Sequence, residues 1–178
     1  MDKNELRRHL QTVRAGIADR SQKDKRIEDA ATELVGAHKS IFIYVSMGSE
    51  VGTHGIINRL LSAGKEVYVP RTLPDKTMHA CRFYGGALQC DRRGNIDDSG
   101  GICDGQADLI FVPLLGYNTD CHRIGYGAGC YDRYFARFPT GRKIGLAYSE
   151  QQCAFEPLPT DIPLDAVLTP DRCIRRKT

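Results

Sequence analysis

The stretch ADLIFVP at residues 107–113, followed by LLGYNTDCHRIGYGAGCYDRYF at 114–135, decides the fold class. Its first six residues are mostly apolar and a proline closes them, which predicts a buried strand. A polar, glycine-rich loop follows, and the aromatic residues after it have the spacing of a short helix: Tyr131, Tyr134 and Phe135. A buried strand that leads through a loop into a helix is typical of α/β proteins with a parallel sheet.

The rest of the chain repeats this alternation of strands and helices. Three helices are predicted before residue 65. The first has the apolar stripe Leu6, Leu10, Val13 and Ile17. The second begins after Ser21 as N-cap, and the third begins after Thr53 as N-cap and ends at Gly64. Strands are predicted at 40–46, 65–70, 79–84 near an edge, 107–112, 142–149 and, as the last one, 165–169. The glycine- and charge-rich segment 85–105 predicts an exposed loop.

These elements predict a single α/β domain over residues 1–178, with three α/β/α layers and a mainly parallel central sheet. In such sheets, ligands bind beyond the carboxyl ends of the strands. The loops that follow the strands are therefore the places to look for a site.

Composition narrows the function classes. Lys and Arg number 25 against 22 Asp and Glu, and a net charge of +3 does not favour a nucleic-acid partner. No apolar run approaches the roughly 18–20 residues of a membrane span, and the start of the chain is charged, so neither a membrane nor secretion is expected. The basic tail from Arg172 to Lys177 is interpreted as solvated charge.

The seven cysteines form no CxxC pair, which favours free thiols in a reducing cytoplasm. A structural zinc site and a disulfide framework are the alternatives.

The glycine loop has the chemistry of an anion site. Gly125, Gly127 and Gly129 alternate, so the backbone can approach a ligand and aim N–H groups at it. Arg123 can offer a planar fork to a phosphate, and Asp132 is suited to a metal bound to that phosphate. A flexible glycine turn is the plainer alternative. No Gly-Lys-Ser/Thr follows the glycines, so a Walker phosphate-binding loop is excluded. A dinucleotide-binding site remains as a weak alternative, in which Glu150 would be the acidic residue that binds the ribose.

The pattern Arg-x-Gly-x-Gly-x-Gly-x-Tyr-Asp at residues 123–132, after a strand that ends in Val-Pro, resembles the signature of the 5-formyltetrahydrofolate cyclo-ligase family. Further segments are similar to this family in the same order: Lys3-x-x-Leu-Arg7, Glu50-x-x-Thr53, Pro70-Arg71, 144–148, Gln151, Leu158-Pro159, Asp161 and 164–169. Because several motifs keep their order over nearly the whole chain, the resemblance is more specific than any one of them.

The resemblance implies a ligase that closes 5-formyltetrahydrofolate to 5,10-methenyltetrahydrofolate with ATP as co-substrate and Mg²⁺ as cofactor. It implies ATP contacts from Lys3, Arg7, Arg123, Ile124, Gly125, Tyr126, Gly127, Ala128, Gly129, Cys130 and Tyr131. It implies substrate contacts from Val45, Glu50, Tyr126, Gly127, Ala128, Gly129 and Cys130. The metal positions that it implies are Asp132 and Asp161. A cytoplasmic monomer is expected, with folate and ATP as its partners.

The first helix supports part of this assignment. At about 100° per residue, Lys3, Arg7 and Arg14 fall within roughly 40° of one another, beside the apolar stripe. The resemblance assigns Lys3 and Arg7 to the phosphates, whereas Arg14 keeps the interpretation of ordinary solvated charge. For Arg71, a structural ion pair is favoured over contacts to phosphate or folate carboxylates.

The chain departs from the family pattern at Asn118, Cys121 and Cys130, where the family commonly has Asp, Gly and Tyr. These departures leave the phosphate-binding elements in place and concern the substrate more than the nucleotide. They motivate a second hypothesis, a catalytically silent relative that only binds folate or nucleotide. A nicotinamide-dependent enzyme that uses the glycine loop is the third.

Overall fold

The computed structural model describes residues 2–97 and 99–177. Its helices are α1 (Lys3–Ala15), α2 (Arg20–Val35), α3 (His54–Ser62) and α4 (Cys130–Arg137), with a 3-10 turn at Ser149–Gln151. Its strands are β1 (Ser40–Ile43), β2 (Glu66–Thr72), β3 (Met78–Phe83), β4 (Leu109–Val112), β5 (Gly116–Tyr117), β6 (Arg123–Ile124), β7 (Arg142–Leu146), β8 (Ala166–Leu168) and β9 (Cys173–Arg175).

Seven strands form one sheet in the order β3-β2-β1-β4-β7-β8-β9. The five inner strands run parallel, and β3 and β9 pair antiparallel at the two edges. Strands β5 and β6 form a separate antiparallel ribbon. The predicted α/β class with a mainly parallel sheet in one domain is confirmed, and 79–84 is indeed an edge strand.

The two faces of the sheet carry different helices. Ile41 and Ile43 pack into a core that contains the buried side of α2 and α3, whereas Phe42, between them, packs into the core of α4. All residues of β1 and β4 are buried, because helices cover both faces and side chains alternate along a strand. The result is the predicted three-layer arrangement.

Helix α1 lies apart from these layers and packs on the ribbon. Asp2 accepts hydrogen bonds from the Asn4 and Glu5 N–H groups, and the Glu5 side chain accepts one from the Asp2 N–H, which makes a capping box. Leu10 packs against Leu115 and Ile124 next to the ribbon. The packing therefore holds the start of α1 beside the glycine loop.

Several predicted boundaries are wrong. Helix α2 begins at Arg20 with Asp19 as its N-cap, not Ser21, and Asp19 has a left-handed φ of 54°. The Arg20 guanidinium bonds the carbonyls of Arg14 and Glu50, and these bonds help to fix the first turn. Strands β1 and β7 end earlier than predicted, at Ile43 and Leu146, because the chain then turns into loops. Strand β2 extends to Thr72 instead, because it pairs with β3 as far as Met78.

The prediction that 165–169 is the last strand is also wrong. Residues Cys173–Arg175 pair antiparallel with β8, and Ile174 packs against the core on the α4 side. The tail is therefore partly structured, although its other described side chains, the Cys173 thiol and the basic groups, are exposed. The ribbon of β5 and β6 was not predicted either, because two-residue strands in a glycine-rich loop have no periodicity to detect.

No helix in residues 2–97 and 99–177 is long and apolar enough to cross a bilayer. All seven cysteines are free thiols, and two of them, Cys81 and Cys121, are buried.

Candidate active site

A cleft of about 1120 Å³ opens at the carboxyl ends of the parallel strands. It is lined by α1, by the loops after β1 and β2, by the glycine loop that leads into α4, and by the segment around Asp161. All of the site residues predicted from the sequence lie on its walls, although they come from both ends of the chain. The fold therefore brings the separate motifs together, while the role of each residue stays a prediction.

Lys3 reaches across the cleft to Asp161. The Lys3 Nζ donates to Asp161 Oδ2 at 3.0 Å, and the Leu158 N–H donates to the same oxygen at 2.7 Å. Partial burial acts to raise the pKa of Asp161, but the Leu158 N–H and the Lys3 charge outweigh it and hold the pKa below its usual value. The ion pair joins the first turn of α1 to residues more than 150 positions away.

Arg7 holds the glycine loop from the same helix. Its Nε donates to the Gly125 carbonyl at 3.1 Å, and its Nη1 donates to Asn4 Oδ1 at 2.8 Å. Gly127 has a φ of 96°, and a Cβ on it would lie 3.3 Å from Arg7 Cζ. The close approach of Arg7 and the left-handed backbone are two reasons why glycine suits position 127.

Arg123 and Asp132 form the second ion pair, from β6 to the first turn of α4. Arg123 Nη2 lies 2.9 Å from Asp132 Oδ1, and Arg123 Nη1 donates to the Ile162 carbonyl at 2.8 Å. The Ile162 N–H returns a hydrogen bond to Asp132 Oδ1 at 3.0 Å. Because Arg123 is 8% exposed, its guanidinium is a rigid charge in the cleft wall. We call Lys3, Arg123, Asp132 and Asp161 the ion-paired end of the cleft.

The donor set tests the implied magnesium ion. Asp132 and Asp161 line the same cleft, and the Ile162 N–H, next to Asp161 in the chain, donates to Asp132 Oδ1. No group of three or more His, Cys, Asp or Glu side chains suited to a metal occurs among the described residues. Mg²⁺ commonly takes one or two carboxylates and completes its shell with water and nucleotide phosphates. The two aspartates therefore fit a magnesium ion that arrives with a nucleotide rather than one held by protein alone.

Glu50 and Tyr126 meet elsewhere in the cleft. The Tyr126 hydroxyl makes a short hydrogen bond to Glu50 Oε1, and the Met47 N–H donates to Glu50 Oε2 at 2.8 Å. Tyr126 is 46% exposed, but burial of its hydroxyl and the Glu50 charge raise the pKa of that hydroxyl well above its usual value. Val45, almost fully buried, forms part of the adjoining wall.

Arg14 contradicts the interpretation as solvated charge. It is only 5% exposed, and its Nη1 donates to the Leu114 carbonyl at 3.1 Å and to the Tyr126 hydroxyl at 2.7 Å. Its Nε donates to Ser49 Oγ at 3.0 Å. Arg14, Glu50 and Tyr126 form what we call the hydroxyl-linked end. The helical stripe that Arg14 shares with Lys3 and Arg7 was the sequence feature that could have indicated that Arg14 also lines the cleft.

Asn118 and Cys121, where the chain departs from the family pattern, both accept hydrogen bonds from backbone N–H groups. Asn118 Oδ1 accepts hydrogen bonds from the N–H groups of Asp120 and His122, a role that needs an oxygen but no charge. Cys121 adopts a φ of 62°, a conformation usually left to glycine, and its carbonyl accepts the Leu164 N–H. Cys130 opens α4 at the cleft wall, directly after Gly129.

Glu150 and Arg71, which the sequence analysis considered for ligand contacts, do not line the cleft. Glu150 pairs with Lys23 in the 3-10 turn, so it is not placed beside the glycine loop as a ribose acid would be. Arg71 donates to the side chain and carbonyl of Ser99 and to the Gly100 carbonyl. Among the residues that the structure describes, it anchors the loop after β3 by hydrogen bonds, and the expected ion pair stays a prediction.

The model of the family described as "5-formyltetrahydrofolate cyclo-ligase family" matches residues 1–170. The chain belongs to this family. A curated relative in Mus musculus, named 5-formyltetrahydrofolate cyclo-ligase, is 32% identical and aligns with 79% of this chain and 80% of its own. A relative of the same name in Mycoplasma pneumoniae is 28% identical over 94% of this chain and 98% of its own.

The structural comparison agrees with the family match. A solved structure of a 5,10-methenyltetrahydrofolate synthetase from Mycoplasma pneumoniae has a TM-score of 0.78 and 26% identity, and the match covers 96% of this chain and 99% of that one. The relatives are named as ligases, and the chain is an enzyme of that class.

Proposed function

We propose that the chain is a 5-formyltetrahydrofolate cyclo-ligase that uses ATP and Mg²⁺. The reaction converts 5-formyltetrahydrofolate and ATP into 5,10-methenyltetrahydrofolate, ADP and phosphate. The formyl oxygen takes the terminal phosphoryl group of ATP, the neighbouring folate nitrogen attacks the formyl carbon, and that oxygen leaves with the phosphate.

The observation that carries this proposal is the cleft itself. It brings the cations of α1, the glycine loop, two aspartates and the Glu50 carboxylate into one volume of about 1120 Å³, large enough for two small ligands side by side. Pockets for one drug-sized ligand are typically about 300–1,000 Å³, so this cleft exceeds the usual range.

The ion-paired end suits the triphosphate. Lys3 and Arg123 supply positive charge there, together with Arg7 from the same helix as Lys3. The backbone from Gly125 to Gly129 leads into the N-terminus of α4. Such a terminus presents free N–H groups and the positive end of the helix dipole. In this proposal, Ile124 to Tyr131 line the nucleotide, and Asp132 and Asp161 hold the magnesium ion.

The hydroxyl-linked end suits the pterin ring. Glu50 is 8% exposed, and its carboxylate keeps acceptor capacity after the bonds from Tyr126 and Met47, since two oxygens offer about four lone-pair sites. The amino and ring N–H groups of a pterin are donors that match it. Val45 and the loop from Tyr126 to Cys130 supply the surrounding wall.

The chemistry needs positioning and charge neutralisation rather than a protein nucleophile. The cations offset the repulsion between the triphosphate and the incoming oxygen, and the cleft walls hold the formyl group near the phosphorus. When bound, magnesium would add Lewis-acid neutralisation of the phosphate oxygens.

A spectrophotometric assay tests the proposal. We expect absorbance at the band of the methenyl product to rise when protein, ATP, Mg²⁺ and 5-formyltetrahydrofolate are mixed, and no rise when either ATP or Mg²⁺ is left out. A folded sample that gives no rise at high enzyme concentration contradicts the proposal. If that sample still binds the ligands in a calorimeter, the chain is a silent binding relative instead.

The proposal includes a cytoplasmic, monomeric enzyme. Gel filtration with light scattering checks the monomer, which should have the mass of one chain, 19.8 kDa.

A further inference from the structure

The hydroxyl of Tyr126 stands between a buried cation and a buried carboxylate from different elements. Arg14 Nη1 lies 2.7 Å from the Tyr126 hydroxyl oxygen, and the Tyr126 hydroxyl makes a short hydrogen bond to Glu50 Oε1. A guanidinium can only donate, so the hydroxyl accepts from Arg14 and gives its single proton to Glu50. The direction of the chain from Arg14 through Tyr126 to Glu50 is therefore fixed.

Both ends of this chain are anchored independently of Tyr126. Arg14 also donates to Ser49 Oγ and to the Leu114 carbonyl, and Glu50 Oε2 accepts the Met47 N–H. The Arg14 guanidinium lies 5.5 Å from the centre of the Tyr126 ring as well. The phenol is thus held by groups on α1 and on the loop after β1, while its own backbone belongs to the glycine loop.

The same backbone is tied to the proposed nucleotide site one residue earlier. Arg7 Nε donates to the Gly125 carbonyl at 3.1 Å, and the Arg7 guanidinium packs against Gly127. Because Arg7 contacts Gly125 and Gly127, a triphosphate that binds Arg7 would act on the loop residues before and after Tyr126. A ligand that bonds Glu50 acts on the other end of the Tyr126 hydroxyl.

We propose that Tyr126 is a positioning residue that couples the two ligands, so that nucleotide on the glycine loop raises the affinity for folate at Glu50. The inference rests on the proposed function, because both ligands must bind in this cleft. The Tyr126–Glu50 bond is already made without ligands. Nucleotide held on the glycine loop favours this arrangement over those in which the bond is broken, so the folate then binds a carboxylate that stays oriented. Couplings between sites commonly amount to about 5- to 150-fold in affinity.

Calorimetry measures the coupling directly. The dissociation constant of 5-formyltetrahydrofolate is determined with and without Mg²⁺ and a non-hydrolysable ATP analogue, for the wild type and for Tyr126→Phe. We expect the analogue to tighten folate binding by about fivefold or more in the wild type. In Tyr126→Phe, which loses only the hydroxyl, the ratio should fall to near one.

Tyr117→Phe is the matched control. Tyr117 is a buried tyrosine of the same connection, outside the cleft walls, and its variant should keep the wild-type ratio. If Tyr126→Phe does not fold, Arg14→Lys tests the same link, because it keeps the charge but removes the fork that reaches Ser49, Leu114 and Tyr126; its ratio should also fall.

Two results overturn the coupling while leaving the proposed function intact. One is a wild type that turns over but shows a ratio near one, and the other is a Tyr126→Phe or Arg14→Lys protein that keeps the wild-type ratio. A wild type that neither turns over nor binds the folate overturns the proposed function, and the coupling with it.

Discussion

The two ends of the cleft hold their charges in different ways. At the ion-paired end, Lys3 and Arg123 contact the carboxylates of Asp161 and Asp132 directly. At the hydroxyl-linked end, Arg14 and Glu50 are joined through the neutral phenol of Tyr126. Direct ion pairs can exchange partners when a phosphate and a metal arrive, since every cation and anion finds a new counter-charge. A carboxylate oriented by a phenol is instead pre-organised for a ligand that donates hydrogen bonds.

We expect the largest loss of activity from Arg123→Ala, at the ion-paired end. It removes a nearly buried charge from the proposed phosphate site and leaves Asp132 without its partner. Loss of one group that stabilises transition-state charge typically costs about 10²–10³ in rate, so we expect kcat/KM in the cyclisation assay to fall by that factor.

Arg26→Ala is the control for Arg123→Ala. Arg26 forms an exposed ion pair with Asp171 away from the cleft, and its loss should leave kcat/KM unchanged. A fall of less than about tenfold for a folded Arg123→Ala protein would show that Arg123 only supports the loop.

Glu50→Gln separates the two ends from each other. The amide keeps one oxygen for Tyr126, but it loses the acceptor for the Met47 N–H and the charge that, in the proposed function, accepts pterin donors. Hydrogen bonds to charged groups contribute about 1.5–3 kcal/mol, so the KM for the folate should rise about 10- to 100-fold. The KM for ATP should change much less. Equal increases in both KM values would contradict a division of the cleft into two ends.

The smallest expected effect is on acid stability at the ion-paired end. The pKa of Asp161 is lowered in the folded chain by the Leu158 N–H and Lys3, against the effect of burial. A lowered folded pKa stabilises the fold above the unfolded value of about 4, and this contribution is lost as the pH falls through the folded pKa. The free energy of unfolding in urea should therefore decrease with acidification, and less steeply in Asp161→Asn.

Glu156→Gln serves as the control for the acid series. Glu156 is exposed and has no ion pair among the residues that the structure describes, so this variant should follow the wild-type curve. If Asp161→Asn and the wild type show the same slope, the Lys3–Asp161 pair contributes nothing to folding.

Apolar patterning predicted much of the fold and failed at particular elements. Runs such as 107–112 predicted buried strands because a strand covered on both faces is apolar at every position. Strand β9 was missed because it is only three residues long, follows Arg172, and has a single side chain, Ile174, that packs inward. The N-cap of α2 was missed because Asp19 makes no side-chain cap; the turn before α2 is held by Arg20 instead.

The sequence by itself determined the family, the fold class and a set of residues that lie on the cleft walls, because the motifs and the apolar periodicity are local in the chain. Only the tertiary structure decided the partners of those residues. Arg14 and Lys3 lie on one helical stripe, yet one is buried against Tyr126 and the other is paired with Asp161. Helical spacing fixes the direction in which a side chain points, whereas its burial and charge partners depend on segments about 100 or more residues away that pack against it.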